Sequence, residues 1–392
     1  MALWRQRPQG GESGVAARNR FDRMEWAGAF GDLGTLIPFV VAYLSMLGLA
    51  PFGVLFSFGL ALVVCGVVYR TPFPVQPMKA IGAVATTQAA QTLTITAGAV
   101  YAASLVTGAI WLLLGLTGTA QKVARLISRP VTLGIILGLG FGFMLDGVRM
   151  MGDNWWISGP ALAGTVALLG SRRVPVMLLL LVFGGLLGIA ADPSLARALA
   201  TITVELRLPS IALSSVSWND LVIGTVFLAL PQVPLTLGNA IVAVTEENNR
   251  LFPDRPVTQQ RVAISTGLLN LGSAAFGGVP MCHGAGGLAG HVRFGARTGG
   301  APIILGAILL VLALFFSSSA NAFLRLFPPA VLGVILFLTG VQLALGASDL
   351  GKDKGERLAT VVTAAIAVWN VGIAFVVGSL VHQALRRGWL RL

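Results

Sequence analysis

The sequence predicts an all-α, polytopic membrane protein built from two inverted repeats of seven elements each. Hydrophobic residues make up 55% of the 392 residues and charged residues only 11%, whereas charged residues are about a quarter of an ordinary soluble protein. A Pro-Met pair occurs at residues 77–78 and again at 280–281, each time opening a Gly- and Ala-rich stretch. Lys and Arg, finally, are concentrated in loops that would lie on one side of a membrane.

The elements follow from the apolar runs, because a bilayer-spanning helix needs about 20 mostly apolar residues. In the first half we predict spans near residues 27–48, 51–69, 98–119, 130–150, 155–170 and 174–191. In the second half we predict spans near 218–244, 261–278, 300–318, 322–346, 356–369 and 371–387. Two shorter elements, 77–93 and 280–293, are too polar and too Gly-rich for helices that face lipid. Each half, 25–191 and 218–387, therefore contains seven elements.

The distribution of positive charge supports this topology. With the N-terminus inside, 21 of the 27 Lys and Arg residues lie in cytoplasmic segments, four lie outside, and Arg70 and Lys79 lie at membrane depth, as the positive-inside rule requires. Residues 1–24 lack the apolar core of a secretory signal, so we interpret them as a flexible cytoplasmic tail. Because seven crossings is an odd number, the second half enters from the opposite side, which makes the repeats inverted. Residues 192–217 would then be an outside linker, and residues 388–392 a second cytoplasmic tail.

Several function classes are disfavoured by composition. The net charge of +12 would indicate nucleic-acid binding only if the cations clustered on one soluble face. Cys65 and Cys282 form neither a disulfide framework nor a zinc site. The chain contains no Walker motif, and so offers no indication of an ATP motor. We expect no catalytic residues, no metal and no cofactor.

The repeated Pro-Met motif predicts the binding site. Proline suits the first turn of a helix, so we expect Pro77 and Pro280 each to begin one. A helix that starts inside the membrane presents unpaired N–H groups and a positive dipole end, which favour an anion. Interrupted helices at matching places in two halves are typical of transporter binding sites, and inversion would bring the two starts face to face.

Side chains at these starts have two interpretations each. Lys79 is a cation inside a span and hence a functional candidate, or else a lysine that reaches to the interface. His283 could donate to an oxyanion or carry a coupling proton, or be bound by backbone carbonyls. Cys282 is more typical of a packing residue. The small residues around Gly284 would let backbone approach a ligand closely.

The first span of each half adds polar candidates. Asp32 could be a salt-bridge partner of Lys79, a proton carrier, or a capping residue. The corresponding stretch of the second half, residues 230–239, is equally irregular, and it offers neutral hydrogen-bonding side chains. The polar candidates in the two halves are Gln232, Thr236 and Asn239, with Gln76 and Asn270 as weaker ones.

These motifs resemble the molybdate transporter family, a relative of the sulfate permeases. The resemblance rests on Phe-Gly-Asp-Leu-Gly-Thr at 30–35, Pro-Val-Gln-Pro-Met-Lys at 74–79 and Pro-Met-Cys-His-Gly-Ala-Gly-Gly-Leu-Ala-Gly at 280–290, followed by Arg-Phe-Gly-Ala-Arg at 293–297. It covers about residues 25 to 387. It implies a seven-plus-seven fold with a core domain moving against a gate domain, and no soluble C-terminal regulatory domain follows the last span.

The resemblance also implies molybdate as substrate and a set of site residues. The anion would lie between the two helix starts, in contact with residues of both motifs and of the first span in each half. The substrate-binding residues expected on this basis are Thr35, Gln76, Met78, Lys79, Gln232, Cys282, His283 and Gly284, with Asp32 and His283 as candidates for coupling.

The sequence thus predicts a secondary active transporter that imports molybdate by alternating access across the plasma (inner) membrane, with both termini cytoplasmic. It leaves the oligomeric state open, a homodimer included. Within the same class the alternative is a sulfate or general oxyanion carrier. An anion channel would need a pore lined by like charges. An intramembrane enzyme would need Cys282 and His283 to act together, although adjacent residues on a helix point about 100° apart.

Overall fold

The computed structural model describes residues 18–45, 47–83, 95–120, 122, 128–168, 176–200, 202, 204–213, 216–319, 327–347, 350–351, 353–369 and 371–390. Most of the predicted N-terminal tail, the end of the element predicted at 77–93 and the last two residues lie outside this described part.

The first half of the chain is helical apart from one short strand. The first crossing is broken by a 3₁₀ turn at Phe30–Asp32, within the Gly- and Asp-containing stretch singled out in the sequence. The elements are α1 (Arg23–Ala29), α2 (Leu33–Ser45), α3 (Pro51–Tyr69), β1 (Gln76–Pro77), α4 (Lys79–Ala83), α5 (Ala97–Leu116), α6 (Arg129–Met151), α7 (Trp155–Leu168) and α8 (Val176–Ala191). A further helix, α9 (Pro193–Ala200), lies in the predicted linker.

The second half repeats this order of long helices around a short strand and a short helix. Its first span, α10 (Trp218–Leu251), contains π-helical turns at Gly224–Ala229 and Thr236–Ala243. Such turns often occur at functional sites. The elements that follow are α11 (Gln259–Ala275), β2 (Met281–Cys282), α12 (Ala285–Arg293), α13 (Gly300–Phe316), α14 (Pro329–Gly346), α15 (Lys354–Ala367) and α16 (Val371–Arg386).

The expectation that Pro77 and Pro280 begin helices is wrong. The two strands pair antiparallel, with Gln76 opposite Cys282 and Pro77 opposite Met281, so the backbone around both prolines is extended. Helices α4 and α12 begin only after this crossing. A proline fits a strand at a position whose missing N–H is not needed, and pairing between distant parts of the chain here overrides the local helix preference.

Helices from the two halves pack against each other throughout. The main pairs are α6 with α14, α5 with α11, and α3 with α13. In the α6–α14 pair the backbones touch at Gly140 and Gly340, where a Cβ on either residue would lie within 2.8 Å of the carbonyl oxygen of the other. Glycine is required at such a close approach because it has no Cβ.

The composition of the helices confirms an all-α, polytopic membrane fold. Among the described residues, five helices are long and apolar enough to cross a bilayer: α3, α5, α6, α10 and the stretch Gly300–Ser319. Buried hydrophobic side chains form one large cluster around the strand crossing and a second, smaller one between α6, α7, α8 and α14, which includes Met151, Leu180 and Val334. The strand crossing therefore lies inside the larger cluster.

Candidate functional site

The strand crossing brings the starts of α4 and α12 together. The N–H of Met78 donates to the carbonyl of Pro280 (2.9 Å). On the neighbouring α11, the amide of Asn270 binds both backbone groups of Met281, since Oδ1 accepts from its N–H (2.9 Å) and Nδ2 donates to its carbonyl (2.7 Å). Asn270 Nδ2 also donates to the carbonyl of Thr266 (2.7 Å). This buried amide therefore pairs with the backbone of β2 as a neighbouring strand would, and it holds β2 against α11.

The start of α4 is capped by a side chain from the second half. Gln232 on α10 is almost fully buried, and its Oε1 accepts from the N–H groups of Ala80 (2.8 Å) and Ile81 (3.3 Å). Its Nε2 donates to Thr236 Oγ1 (2.9 Å), at the first residue of the second π-helical turn. The first turn of a helix has N–H groups without intrahelical partners, and Gln232 satisfies two of them.

The start of α12 faces Gln76 and Asp32 from the first half. Gln76 Nε2 donates to the Asp32 carboxylate, and both side chains are buried. Among the described residues, Gln76 Oε1 has no hydrogen-bond partner. It lies against Gly284, the N-cap of α12, so closely that a Cβ there would overlap it. A Cβ at Gly287, in the first turn, would lie 2.7 Å from an Asp32 oxygen.

Lys79 adds a positive charge to this crossing. It is the first residue of α4 and is partly buried. Its ammonium group is close enough to the Asp32 carboxylate for electrostatic attraction. Cys282 is buried and, like Cys65, has a free thiol, which agrees with a packing role. The carboxylate of Asp32 thus lies between the cation of one half and the helix start of the other.

His283 is held by protein groups on both sides of its ring. Nδ1 lies 2.9 Å from the carbonyl oxygen of Pro74, and Nε2 lies 2.8 Å from Ser265 Oγ. The carbonyl can only accept, so Nδ1 carries a proton. The ring is fully buried and packs edge-on against Phe73 at 4.9 Å. With both nitrogens engaged, the geometry favours the alternative of a core histidine over a side chain that binds an anion.

The other predicted residues contribute less from their side chains. Thr35 lies in α2, but its side chain falls outside the described part of the chain. Met78 is fully buried in the larger hydrophobic cluster, so only its backbone is available to the crossing. Asn239 on α10 lies beside the start of α12, with Nδ2 3.5 Å from where a Cβ of Gly284 would be.

A model of one protein family matches both halves of the chain. The family is described as "Molybdate transporter of MFS superfamily", and the matched segments are residues 24–143 and 224–343. Together they cover more than half of the 392 residues. This chain belongs to the molybdate transporter family. The two matches are equal in length and each lies in a different half, so the same family pattern occurs once in each half.

Individual relatives agree with this assignment. "Molybdate transporter 1" of Arabidopsis thaliana is 33% identical over 411 residues, which covers 93% of this chain and 88% of the relative. Among solved structures, the transmembrane domain of the cyanobacterial bicarbonate transporter BicA matches with a TM-score of 0.66 at 17% identity, covering 90% of this chain and 97% of that domain.

A second solved structure, the murine Solute Carrier 26 family member A9 anion transporter in its inward-facing state, matches with a TM-score of 0.68 at 14% identity. It covers 96% of this chain and 70% of that one. At these identities the structures show the fold alone. The resemblance to molybdate transporters is confirmed, and the chain is a membrane transporter rather than an enzyme.

One buried carboxylate of this molybdate transporter family member was missed by sequence reasoning. Glu25 is fully buried and accepts from three backbone N–H groups at the start of α13, those of Arg297 (3.0 Å), Thr298 (2.9 Å) and Ala301 (3.1 Å). In the sequence it follows an Arg-rich tail and looks like an ordinary cytoplasmic charge. Its capping role becomes visible only when α1 and the start of α13, 273 residues apart in sequence, are placed together.

Proposed function

We propose that this chain is a secondary active transporter that imports molybdate by alternating access across the plasma membrane, with both termini in the cytoplasm. The anion would bind between the starts of α4 and α12. The observation that carries the proposal is the crossing of β1 and β2, which places two helix starts from different halves beside each other. Membership of the molybdate transporter family supports the choice of substrate.

We further propose that residues 25–191 and 218–387 form two inverted repeats joined by the linker 192–217. Four observations support this arrangement. The same family model matches twice, once in each half. The strands pair antiparallel. Gly140 and Gly340, which lie equally far from the starts of the two matches, touch each other. The packing is also reciprocal. The second spanning helix of the first half, α3, packs against α13 of the second half, and the second spanning helix of the second half, α11, packs against α5 of the first half.

The two hydrophobic clusters support a division into core and gate. The larger cluster surrounds the crossing, and the smaller one lies between α6, α7, α8 and α14. In the proposed mechanism the helices of the smaller cluster form part of the gate, and the crossing moves relative to them. The anion is thereby exposed first to one side of the membrane and then to the other.

The chemistry of the crossing suits a tetrahedral dianion. The start of α12 contributes the equivalent of about half a positive charge, and Lys79 contributes a full one. No heavy atom lies within 4 Å of a Cβ at Gly286, so backbone in the first turn of α12 can approach a ligand there. The carboxylate of Asp32 lowers the net positive charge, and we propose it as the group that carries a coupling proton. His283 is the weaker candidate because both of its ring nitrogens already have partners.

Binding and uptake of molybdate by purified protein test this proposal. We would measure molybdate binding by calorimetry with sulfate as competitor, and uptake of labelled molybdate into proteoliposomes, for wild type and for Lys79→Ala. The matched control is Lys354→Ala, because Lys354 is also the first residue of a helix, α15, but is exposed.

We expect saturable uptake, poor competition by sulfate, and loss of binding in Lys79→Ala but not in the control. Equal competition by sulfate would widen the substrate to oxyanions in general. Uptake that does not saturate would favour a channel, and a wild-type protein that binds neither anion would contradict the proposal.

A further inference from the structure

Asp32 and Gln232 occupy comparable places in the two halves. The family matches begin at residues 24 and 224, so Asp32 lies eight residues after the start of the first match and Gln232 eight residues after the start of the second. Both residues lie in irregular parts of the first span of their half: Asp32 ends a 3₁₀ turn, and Gln232 lies between two π-helical turns.

Each of these side chains lies at the first turn of a short helix in the other half, Gln232 at α4 and Asp32 at α12. Gln232 accepts from Ala80 and Ile81 at the start of α4. An oxygen of Asp32 lies beside Gly287 in the first turn of α12, and the same carboxylate holds Gln76. The fully buried Gln76 Oε1, without a partner among the described residues, lies against the N-cap of α12. This oxygen atom is independent evidence that the start of α12 accommodates a polar group.

The two positions differ in charge. A carboxylate stands at position 32, and a neutral amide on a side chain one methylene longer stands at position 232. The charges of Lys79 and Asp32 cancel, so the positive end of α12 leaves the site with a small net positive charge. A carboxylate at both positions would lower the net charge of the site by one unit, and an amide at both would raise it by one unit.

We propose that positions 32 and 232 together set the charge of the anion that the site accepts, with the number of carboxylates at the two positions determining how strongly a dianion is preferred to a monoanion of the same shape. The inference rests on the proposed function, since it concerns the same site. Removal of the carboxylate should strengthen binding of a dianion relative to a monoanion, and a second carboxylate should do the reverse. A carboxylate moved from position 32 to position 232 should leave the preference nearly unchanged.

The test compares dissociation constants for two tetrahedral oxyanions: molybdate, which carries two negative charges, and perrhenate, which carries one. The variants are Asp32→Asn, Gln232→Glu and the double variant, each of which keeps an oxygen acceptor at the helix start. Asp146→Asn is the control, because Asp146 is a carboxylate on a spanning helix whose partner is Arg149 on the same helix. All proteins are measured at one pH and one ionic strength, with thermal unfolding as a check on folding.

We expect the ratio of the perrhenate to the molybdate dissociation constant to rise about tenfold or more in Asp32→Asn and to fall by a similar factor in Gln232→Glu, because a unit charge at a partly buried site acts twice as strongly on a dianion. The double variant should lie within about threefold of wild type on the same electrostatic grounds. The control should keep the wild-type ratio.

A merely structural role would weaken binding of both anions together and leave this ratio unchanged, which would overturn the inference. So would single variants that shift the ratio in the same direction. If Asp32→Asn does not fold, Gln232→Glu alone decides, since an unchanged or raised ratio in that variant contradicts the proposal. A wild-type protein that binds neither anion would instead contradict the proposed function, so the two failures are distinguishable.

Discussion

Replacing Gly284 by Ala tests whether the start of α12 depends on its fit to Gln76. The N-cap residue has φ −79° and ψ 130°, which alanine adopts without strain, so only the contacts of the added methyl group matter. The methyl group would overlap Gln76 Oε1 and lie 3.0 Å from Gln76 Cδ. Because Gln76 is fully buried, its side chain must move, and its hydrogen bond to Asp32 is lost.

The size of the effect follows from that lost contact. A hydrogen bond to a charged group contributes about 1.5–3 kcal/mol, and alanine is a poorer N-cap than glycine by up to about 1 kcal/mol. We therefore expect Gly284→Ala to lower the free energy of unfolding by about 2–4 kcal/mol and to weaken molybdate binding. The assays are thermal unfolding in detergent and calorimetric binding of molybdate.

Gly286→Ala is the matched control, two residues further along the same helix start. No heavy atom lies within 4 Å of a Cβ at Gly286, so this methyl group displaces nothing in the described structure. We expect Gly286→Ala to unfold at the wild-type temperature or slightly above it, because alanine is preferred to glycine in a helix. Equal unfolding temperatures for Gly284→Ala and Gly286→Ala, with equal molybdate affinities, would refute the reasoning.

Three further predictions concern buried polar groups that hold the backbone in place. Asn270→Leu leaves both backbone groups of Met281 unpaired, so we expect a loss of about 2–4 kcal/mol of stability and slower molybdate uptake; wild-type uptake would contradict the positioning role. Glu25→Ala leaves three backbone N–H groups without their acceptor, which should lower stability by about 3 kcal/mol or more in thermal unfolding; an unchanged midpoint would exclude the capping role. His283→Phe should lower the unfolding temperature but shift molybdate affinity less than Lys79→Ala does, and the opposite order would assign the anion contact to His283.

The repeated motif could be located from the sequence because Pro and Gly interrupt otherwise continuous apolar runs. The same reasoning predicted a short element at each motif, and a short helix follows each Pro-Met pair. It placed the helix starts wrongly at Pro77 and Pro280. The preference for proline in the first helical turn is a local effect, whereas the strand pairing that keeps both prolines out of helices joins residues from different halves.

The partners of the polar side chains could not be predicted for a related reason. Gln232 binds Ala80 across 152 residues of sequence, and Glu25 binds Thr298 across 273. No pattern in a single sequence reports such contacts. Gln232 entered the prediction as a neutral hydrogen-bonding side chain in an irregular span, and Asn270 only as a weaker polar candidate. Its role in holding β2 depends on where α11 lies in the fold.

Locating the bound anion is the most direct test of the central claim. Molybdenum scatters X-rays anomalously, so crystals grown with molybdate would show the position of the metal atom without ambiguity. The account predicts one peak between the start of α4 and the start of α12, in contact with Lys79 and with backbone near Gly284. A peak elsewhere in the protein, with the crossing empty in a protein that transports molybdate, would contradict it.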